Sequence, residues 1–224
     1  MKSEVATRGD MSASTDGWME SSDVLSLFPT LVWKILLAAE VRQDIDTSVR
    51  EVLDLARRGS TALEHGEAWQ SERNLHESPG LAGLVACIDR ASRSAMRSLR
   101  INYDAFEITG CWANISAPGA SHGMHSHPNN FLSGVYYLQT RAGADTVNFH
   151  DPRSQSGIIR PPVTELTREN TDQVVVSVND GTLLIFPSYL QHSVELNGSE
   201  EPRISVSFNI MFSAFAENLS KPLW

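Results

Sequence analysis

The sequence predicts a mainly β fold with helices, an α+β chain in which a β-sandwich or jelly roll carries N-terminal helices on one sheet. Three observations lead there. Two amphipathic helical patterns lie between about residues 36 and 100, and short segments rich in Val, Ile, Phe, Tyr and Thr follow from 106 to 213. Turn signals, Asn179-Asp180-Gly181 and Asn197-Gly198, punctuate those segments. Helices that precede strands, rather than alternate with them, point to a helical layer packed on an antiparallel sheet.

Each element has its own signal. Residues 1–22 are polar, with few apolar side chains, and are expected to be disordered. Beyond Leu25 the run LFPTLVWKILL mixes a proline with β-formers and reads as a strand or extended entry. A helix is predicted from Leu36 to about Arg58, where Ile45, Val49, Val52, Leu53 and Leu55 recur at helical spacing and Gly59 supplies the stop. Glu64–Ser78 shows no period and is predicted to be a loop. After Pro79-Gly80, a second helix places Leu81, Leu84, Cys87, Ile88, Ala91, Ala95 and Leu99 on one stripe, with Arg90, Arg93, Arg97 and Arg100 free to face solvent. Strands are then predicted over Phe106–Ile115, Phe131–Leu138, Thr146–His150, Gln173–Val178, Thr182–Phe186, Gln191–Leu196 and Arg203–Phe212. The domain expectation is one folded unit over 23–224, with helical support over 36–100 and a β core over 106–213.

Composition narrows the function classes. The chain has 224 residues, 41% hydrophobic and 20% charged, an ordinary globular balance. Eighteen Lys and Arg stand against 27 Asp and Glu, a net charge of −9, so no chain-wide basic footprint for nucleic acid or anionic lipid exists. No apolar run approaches the roughly 20 residues that span a bilayer, and the start is polar rather than a signal-peptide core. A cytoplasmic protein with no nucleic-acid or membrane partner is the expectation. Cys87 and Cys111 have no C-x-x-C spacing and read as buried small apolar residues. The helices and open sheet edges offer surfaces for a homodimer, with no interface specified.

The chemical signal lies in the histidines. Ser121-His122-Gly123-Met124-His125-Ser126-His127-Pro128 places His125 and His127 two apart, so in extended backbone both imidazoles project from one face. That is metal-ligand spacing, and His192, one hairpin after the Asp180-Gly181 turn, can converge on the same pair inside a jelly roll. Taken alone, an H-x-H in such a segment is more often a solvated turn. Eleven residues past His192, the strand RISVSFN alternates Arg203, Ser205, Ser207 and Asn209 on one face with Ile204, Val206 and Phe208 on the other. An arginine on the polar interior face of a β-barrel needs an anion, and a bidentate carboxylate is its natural partner.

In this order, His125-Ser126-His127-Pro128, Ser133-Gly134-Val135-Tyr136-Tyr137-Leu138, Gly181-Thr182-Leu183-Leu184-Ile185-Phe186-Pro187-Ser188, His192 and Arg203-Ile204-Ser205 resemble the iron(II)- and 2-oxoglutarate-dependent oxygenases. Trp69-Gln70-Ser71, Trp112-Ala113-Asn114 and Asp151-Pro152-Arg153 are similar to a subgroup of largely uncharacterised bacterial and phage members. The resemblance covers about residues 25–213 and implies a cupin-like double-stranded β-helix. It implies iron(II) and 2-oxoglutarate as cofactors, with His125 and His192 as iron ligands. Arg203 would bind the far carboxylate of 2-oxoglutarate, with Ser205 beside it and Tyr137 and Asn114 as further co-substrate contacts. The resembled pattern is H-x-D or H-x-E, so His127 is a departure. Imidazole is an acceptable third iron ligand, and it leaves the site one unit more positive. Trp112, Met124, Asn130, Phe131 and Arg153 are candidates for the substrate pocket, and His122 and His150 for its rim. His65 and His76 are expected to be surface or packing residues.

The expected activity is hydroxylation of a small-molecule or amino-acid-derived substrate by dioxygen, with release of succinate and CO2 and no catalytic residue beyond the metal centre. Two other readings stay open on the residues: a three-histidine cupin-like dioxygenase or isomerase that uses no 2-oxoglutarate, and a non-catalytic β-sandwich binding module.

Overall fold

The computed structural model describes residues 23–153 and 158–216, so the expected disorder of 1–22 lies outside the described residues. Two compact units divide the chain, 1–31 and 32–224. Of the first, the described residues contain no helix, and the second carries the elements that follow. Among the described residues no helix is long and apolar enough to cross a membrane.

Strand β1 (Trp33–Leu36) precedes helix α1 (Ala39–Ala56). The helix starts later than predicted because Ala38 is extended (ψ 144°), which keeps Leu36 in the strand. Ile45, Val49 and Leu53 are buried, whereas Leu55 is 59% exposed. At about 100° per residue, position 55 lies on the far side of the helix from position 53. Gly59 stops the chain as expected, with φ +87°. The predicted loop over 64–78 holds a short strand, β2 (Ala68–Gln70), and a 3₁₀ turn, Leu75–Glu77. Three residues are too few to show an alternation. Helix α2 (Ala82–Ser98) buries Leu84, Ile88, Ala91, Ala95 and Met96, and Arg90, Arg93, Arg97 and Arg100 face solvent. Leu99, just past its end, is 37% exposed.

The β region follows as β3 (Phe106–Ser116), β4 (His122–His125), β5 (Leu132–Gln139), β6 (Thr146–His150), β7 (Gln173–Ser177), β8 (Thr182–Pro187), β9 (His192–Val194) and β10 (Arg203–Phe212), then a helical turn, α3 (Ser213–Ala216). Strand β9 is shorter than the Gln191–Leu196 expected. Two antiparallel sheets result, one ordered β1-β8-β5-β10-β3-β2 and the other β4-β9-β6-β7. This is the jelly roll.

Period-2 alternation sorts each inner strand between two cores. Leu183 and Ile185 of β8, Tyr136 and Leu138 of β5, and Val206, Phe208 and Ile210 of β10 pack with α1 and α2 on the outer face of the six-stranded sheet. Their neighbours Leu184, Phe186 and Tyr137 point the other way and meet Val147 and Phe149 of β6 between the sheets. Burying each such side chain contributes about 1.5–3 kcal/mol. The helical layer therefore braces the sheet from outside and leaves its inner face to the site. Cys111 is wholly buried, and burial pushes its thiol up to about 12. Cys87, expected to be buried, is half-buried on α2 at the margin of the outer core.

Candidate metal centre

Strands β4 and β9 pair with His125 directly opposite His192. A bulge between His122 and His125 shifts the register of β4. The backbone N–H of His127 then donates to the Ser188 carbonyl at 2.9 Å, which holds the residues after β4 against the chain entering β9. These three imidazoles converge: their ligand atoms all lie within 4.8 Å of one another. Ring centroids are 4.2 Å apart for His125 and His192, 5.1 Å for His125 and His127, and 5.2 Å for His127 and His192.

Backbone carbonyls set two of the tautomers. Nδ1 of His125 lies 2.8 Å from the Gly123 carbonyl and Nδ1 of His192 lies 3.0 Å from that of Leu190. A carbonyl can only accept, so each Nδ1 carries the proton and each Nε2 keeps a free lone pair. Burial, above all, keeps His127 and His192 neutral. Burial, followed by His192, His125, Arg73 and His122, lowers His127 to about 3. Burial also lowers His192 to about 4, against the opposing bond to Leu190, with His125, His122 and His150 adding to the depression. A metal needs neutral imidazole, and this arrangement supplies it.

Beside the histidines, the inner face of the six-stranded sheet is polar. Arg203 is 6% exposed at the start of β10, with its guanidinium carbon 5.2 Å from the centroid of the buried Tyr137 ring. Its Nε is buried with no hydrogen-bond partner. Ser205 sits opposite Asn114 on one side and Tyr137 on the other. Asn114 donates to Ser207 Oγ at 3.1 Å. Burial pushes the Tyr137 phenol up while Arg203 opposes it. His122 stacks on His125 at 4.2 Å, and burial, His125 and Arg203 together lower it. A cavity of about 340 Å³ opens over the histidines, lined by His122, His125, His127, Trp112, Asn130 and Asn209 among others. A larger groove of about 490 Å³ lies between α1 and the sheet, around Arg50, Leu53, Arg57 and Ile115, and contains no histidine.

Residues 110–209 match the model of a family described as putative 2OG-Fe(II) oxygenase. Over these residues the β core is similar to that family. The chain is accordingly an oxidoreductase whose cofactors are iron(II) and 2-oxoglutarate. The fold is shared with SnoK, a non-heme α-ketoglutarate-dependent carbocyclase from nogalamycin biosynthesis (14% identity, 87% of this chain and 89% of that one, TM-score 0.61). It is shared also with HygX from Streptomyces hygroscopicus, crystallised with nickel and 2-oxoglutarate (12%, 82% and 83%, 0.58). A Pseudomonas putida prolyl-4-hydroxylase is similar too (14%, 82% and 93%, 0.54). No curated protein sequence matches the chain.

The oxygenase fold brings together some of the predicted pocket residues and separates others. Trp112, 5.7 Å from His127 between ring centroids, and Asn130 line the cavity. Three other candidates are not among the residues that line this cavity. Met124 alternates with His125 along β4 and is 58% exposed. Phe131 packs against Phe212 at 4.8 Å on the outer core. Arg153 folds onto Asp151, with Nη2 2.6 Å from the carboxylate, so Asp-Pro-Arg is a structural turn. Of the rim candidates, His122 lines the cavity, whereas His150 Nε2 is 2.9 Å from Ser193 Oγ. His65 packs against Gly119, and His76 is half-buried beside Cys111. Gln70, Arg73, Ser126 and Asn209 also line the cavity and were not expected there. The polar alternation of β10 already placed Asn209 on the inner face, and Gln70 lies in a motif that carries the resemblance. Arg73 has no signal in the sequence.

Proposed function

We propose that the protein is an iron(II)- and 2-oxoglutarate-dependent dioxygenase that hydroxylates a small-molecule or amino-acid-derived substrate, releasing succinate and CO2. The observation that carries this reading is the combination of three converged imidazoles with a buried arginine whose Nε has no partner. The residues fit both groups. Two pinned Nδ1–H tautomers leave Nε2 free for a metal, and the buried Nε of Arg203 has no hydrogen-bond partner among the described residues. An all-imidazole ligand set suits a borderline metal such as iron(II) and leaves its charge uncompensated, which favours a dianionic co-substrate.

In this reading His125, His127 and His192 hold the metal. Arg203 takes the far carboxylate of 2-oxoglutarate in a charge-assisted, forked contact, with Tyr137 fixing the guanidinium from below and Ser205 and Asn114 beside it. When bound, the two groups supply dioxygen activation coupled to decarboxylation of the 2-oxo acid, sufficient to oxidise a C–H bond. The protein contributes ligand geometry, exclusion of water by the Tyr137, Phe149 and Phe186 core, and a cavity that presents substrate beside His127. The test is anaerobic titration of the apoprotein with iron(II) and then 2-oxoglutarate. A metal-to-ligand charge-transfer band is expected on the second addition, and its absence from folded protein overturns the reading.

A further inference from the structure

The cavity over the histidines is lined on one side by Gln70 and Arg73 of the segment 68–77, and Arg73 is the one Lys or Arg among its described lining residues. Its backbone is zipped along β3: Gln70 pairs with Asn114, Ser71 N–H donates to the Ala113 carbonyl at 3.0 Å, and Ala113 N–H returns a bond to Ser71 Oγ at 2.9 Å. Cys111 N–H donates to the Arg73 carbonyl at 2.8 Å. These bonds fix where Gln70 and Arg73 present their side chains. The Arg73 guanidinium lies over the Trp112 indole, 4.9 Å from its centroid, and the same indole faces the His127 ring at 5.7 Å. Stacking spends one face of the guanidinium and leaves its planar edge of N–H donors open.

Those donors are uncommitted. Among the described residues, neither the Arg73 guanidinium nor the Gln70 amide makes a hydrogen bond or ion pair, although most other arginines of the described chain have one. Asn130, by contrast, is occupied at both ends, accepting from Thr109 and donating to the Pro128 carbonyl. No Asp or Glu lines the cavity, in a chain of net charge −9.

We infer that the primary substrate is a small carboxylate, received by Arg73 with Gln70 beside it, so that its body lies over Trp112 toward the three histidines. This rests on the oxygenase reading and adds to it a substrate class and a specificity-determining residue. A carboxylate fits better than a phosphate or a polyanion. The lining carries a single cation, which balances a monoanionic carboxylate but not a dianionic phosphate, and the surrounding acidic chain repels a polymer of negative charge. A volume of about 340 Å³ holds a metabolite-sized molecule. Arg73 and Arg203 then divide the work, the exposed one for substrate and the buried one for 2-oxoglutarate.

The experiment uses the iron(II)-loaded protein, saturated with 2-oxoglutarate under anaerobic conditions. Binding of a panel of N-acetyl amino acids is compared with that of their carboxamides by calorimetry. At least one carboxylate is expected to bind about tenfold or more tightly than its amide, and Arg73→Gln is expected to abolish that preference while the charge-transfer band and the affinity for 2-oxoglutarate stay unchanged. Arg73→Lys, which keeps the charge, should retain part of the preference. If Arg73→Gln fails to fold, the carboxylate-to-amide comparison on the unaltered protein decides. Equal binding of acids and amides, no binding by any member of the panel, or a loss of 2-oxoglutarate affinity in Arg73→Gln overturns the inference. Absence of the charge-transfer band in the unaltered protein marks failure of the oxygenase reading instead.

Discussion

His127 is the residue on which the chemistry of this site turns, because it stands where the resembled pattern has a carboxylate. Its ring lies within reach of both other imidazoles, and burial holds it neutral. If it is a ligand, His127→Ala should weaken iron(II) binding by more than the roughly 10–100-fold that loss of a ligand's supporting partner costs. Titration of the apoprotein measures this, and unchanged affinity removes His127 from the coordination sphere. Arg203 carries a separable role. Arg203→Ala should leave iron(II) affinity intact and weaken 2-oxoglutarate by about 10–100-fold, the equivalent of about 1.5–3 kcal/mol for a charged hydrogen bond. Unchanged turnover of Arg203→Ala at low 2-oxoglutarate would instead favour a histidine-metal enzyme that does without that co-substrate.

The elements hold these residues because strands pass one another closely. Gly134 in the middle of β5 is the tightest such point: a Cβ there would stand 2.5 Å from the Leu184 carbonyl oxygen and 2.2 Å from the Phe208 ring. The carbonyl belongs to the neighbouring strand and cannot move without breaking the sheet. Gly134→Ala should therefore destabilise by about 1–3 kcal/mol or more, a cost typical of overpacking. Chemical denaturation measures it, and a variant as stable as the parent would show that β5 and β8 can separate at no cost. The cross-strand pair His125–His192 depends on a different local device. The bulge in β4 re-aims the chain, so His122 stacks on His125 instead of facing away.

At the scale of the whole molecule, burial of neutral imidazoles couples the metal site to stability. His127 and His192 titrate near 3 and 4 in the fold, against about 6.5 in an unfolded chain. Between those values the unfolded chain binds protons that the folded one refuses, so stability rises with pH across the interval. The metal-free protein should be most stable above about pH 6.5 and should lose stability as pH falls toward 4 and then 3. Melting temperatures of chelator-treated protein across this range test the slope. A double variant, His127→Asn with His192→Asn, should show a shallower one, and an equal slope in both proteins would rule out the histidines as its source.

The sequence by itself determined the layer order, the two amphipathic helices, the main strands of the β core and the polar inner face of β10, because period and turn chemistry are local properties. It also marked His125, His127, His192 and Arg203, since spacing of two on a strand and an arginine in an alternating run are readable without a partner. What only the tertiary structure decided is where each side chain of the pocket ends. Short β2 shows no period, and its place beside β3 comes from bonds to residues about 40 positions away, so Arg73 reaches the cavity with no local signal. Met124 and Phe131 show the same limit in reverse: nearness in sequence to the histidines does not fix the face, and pleat and strand pairing place one toward solvent and the other against the helical core.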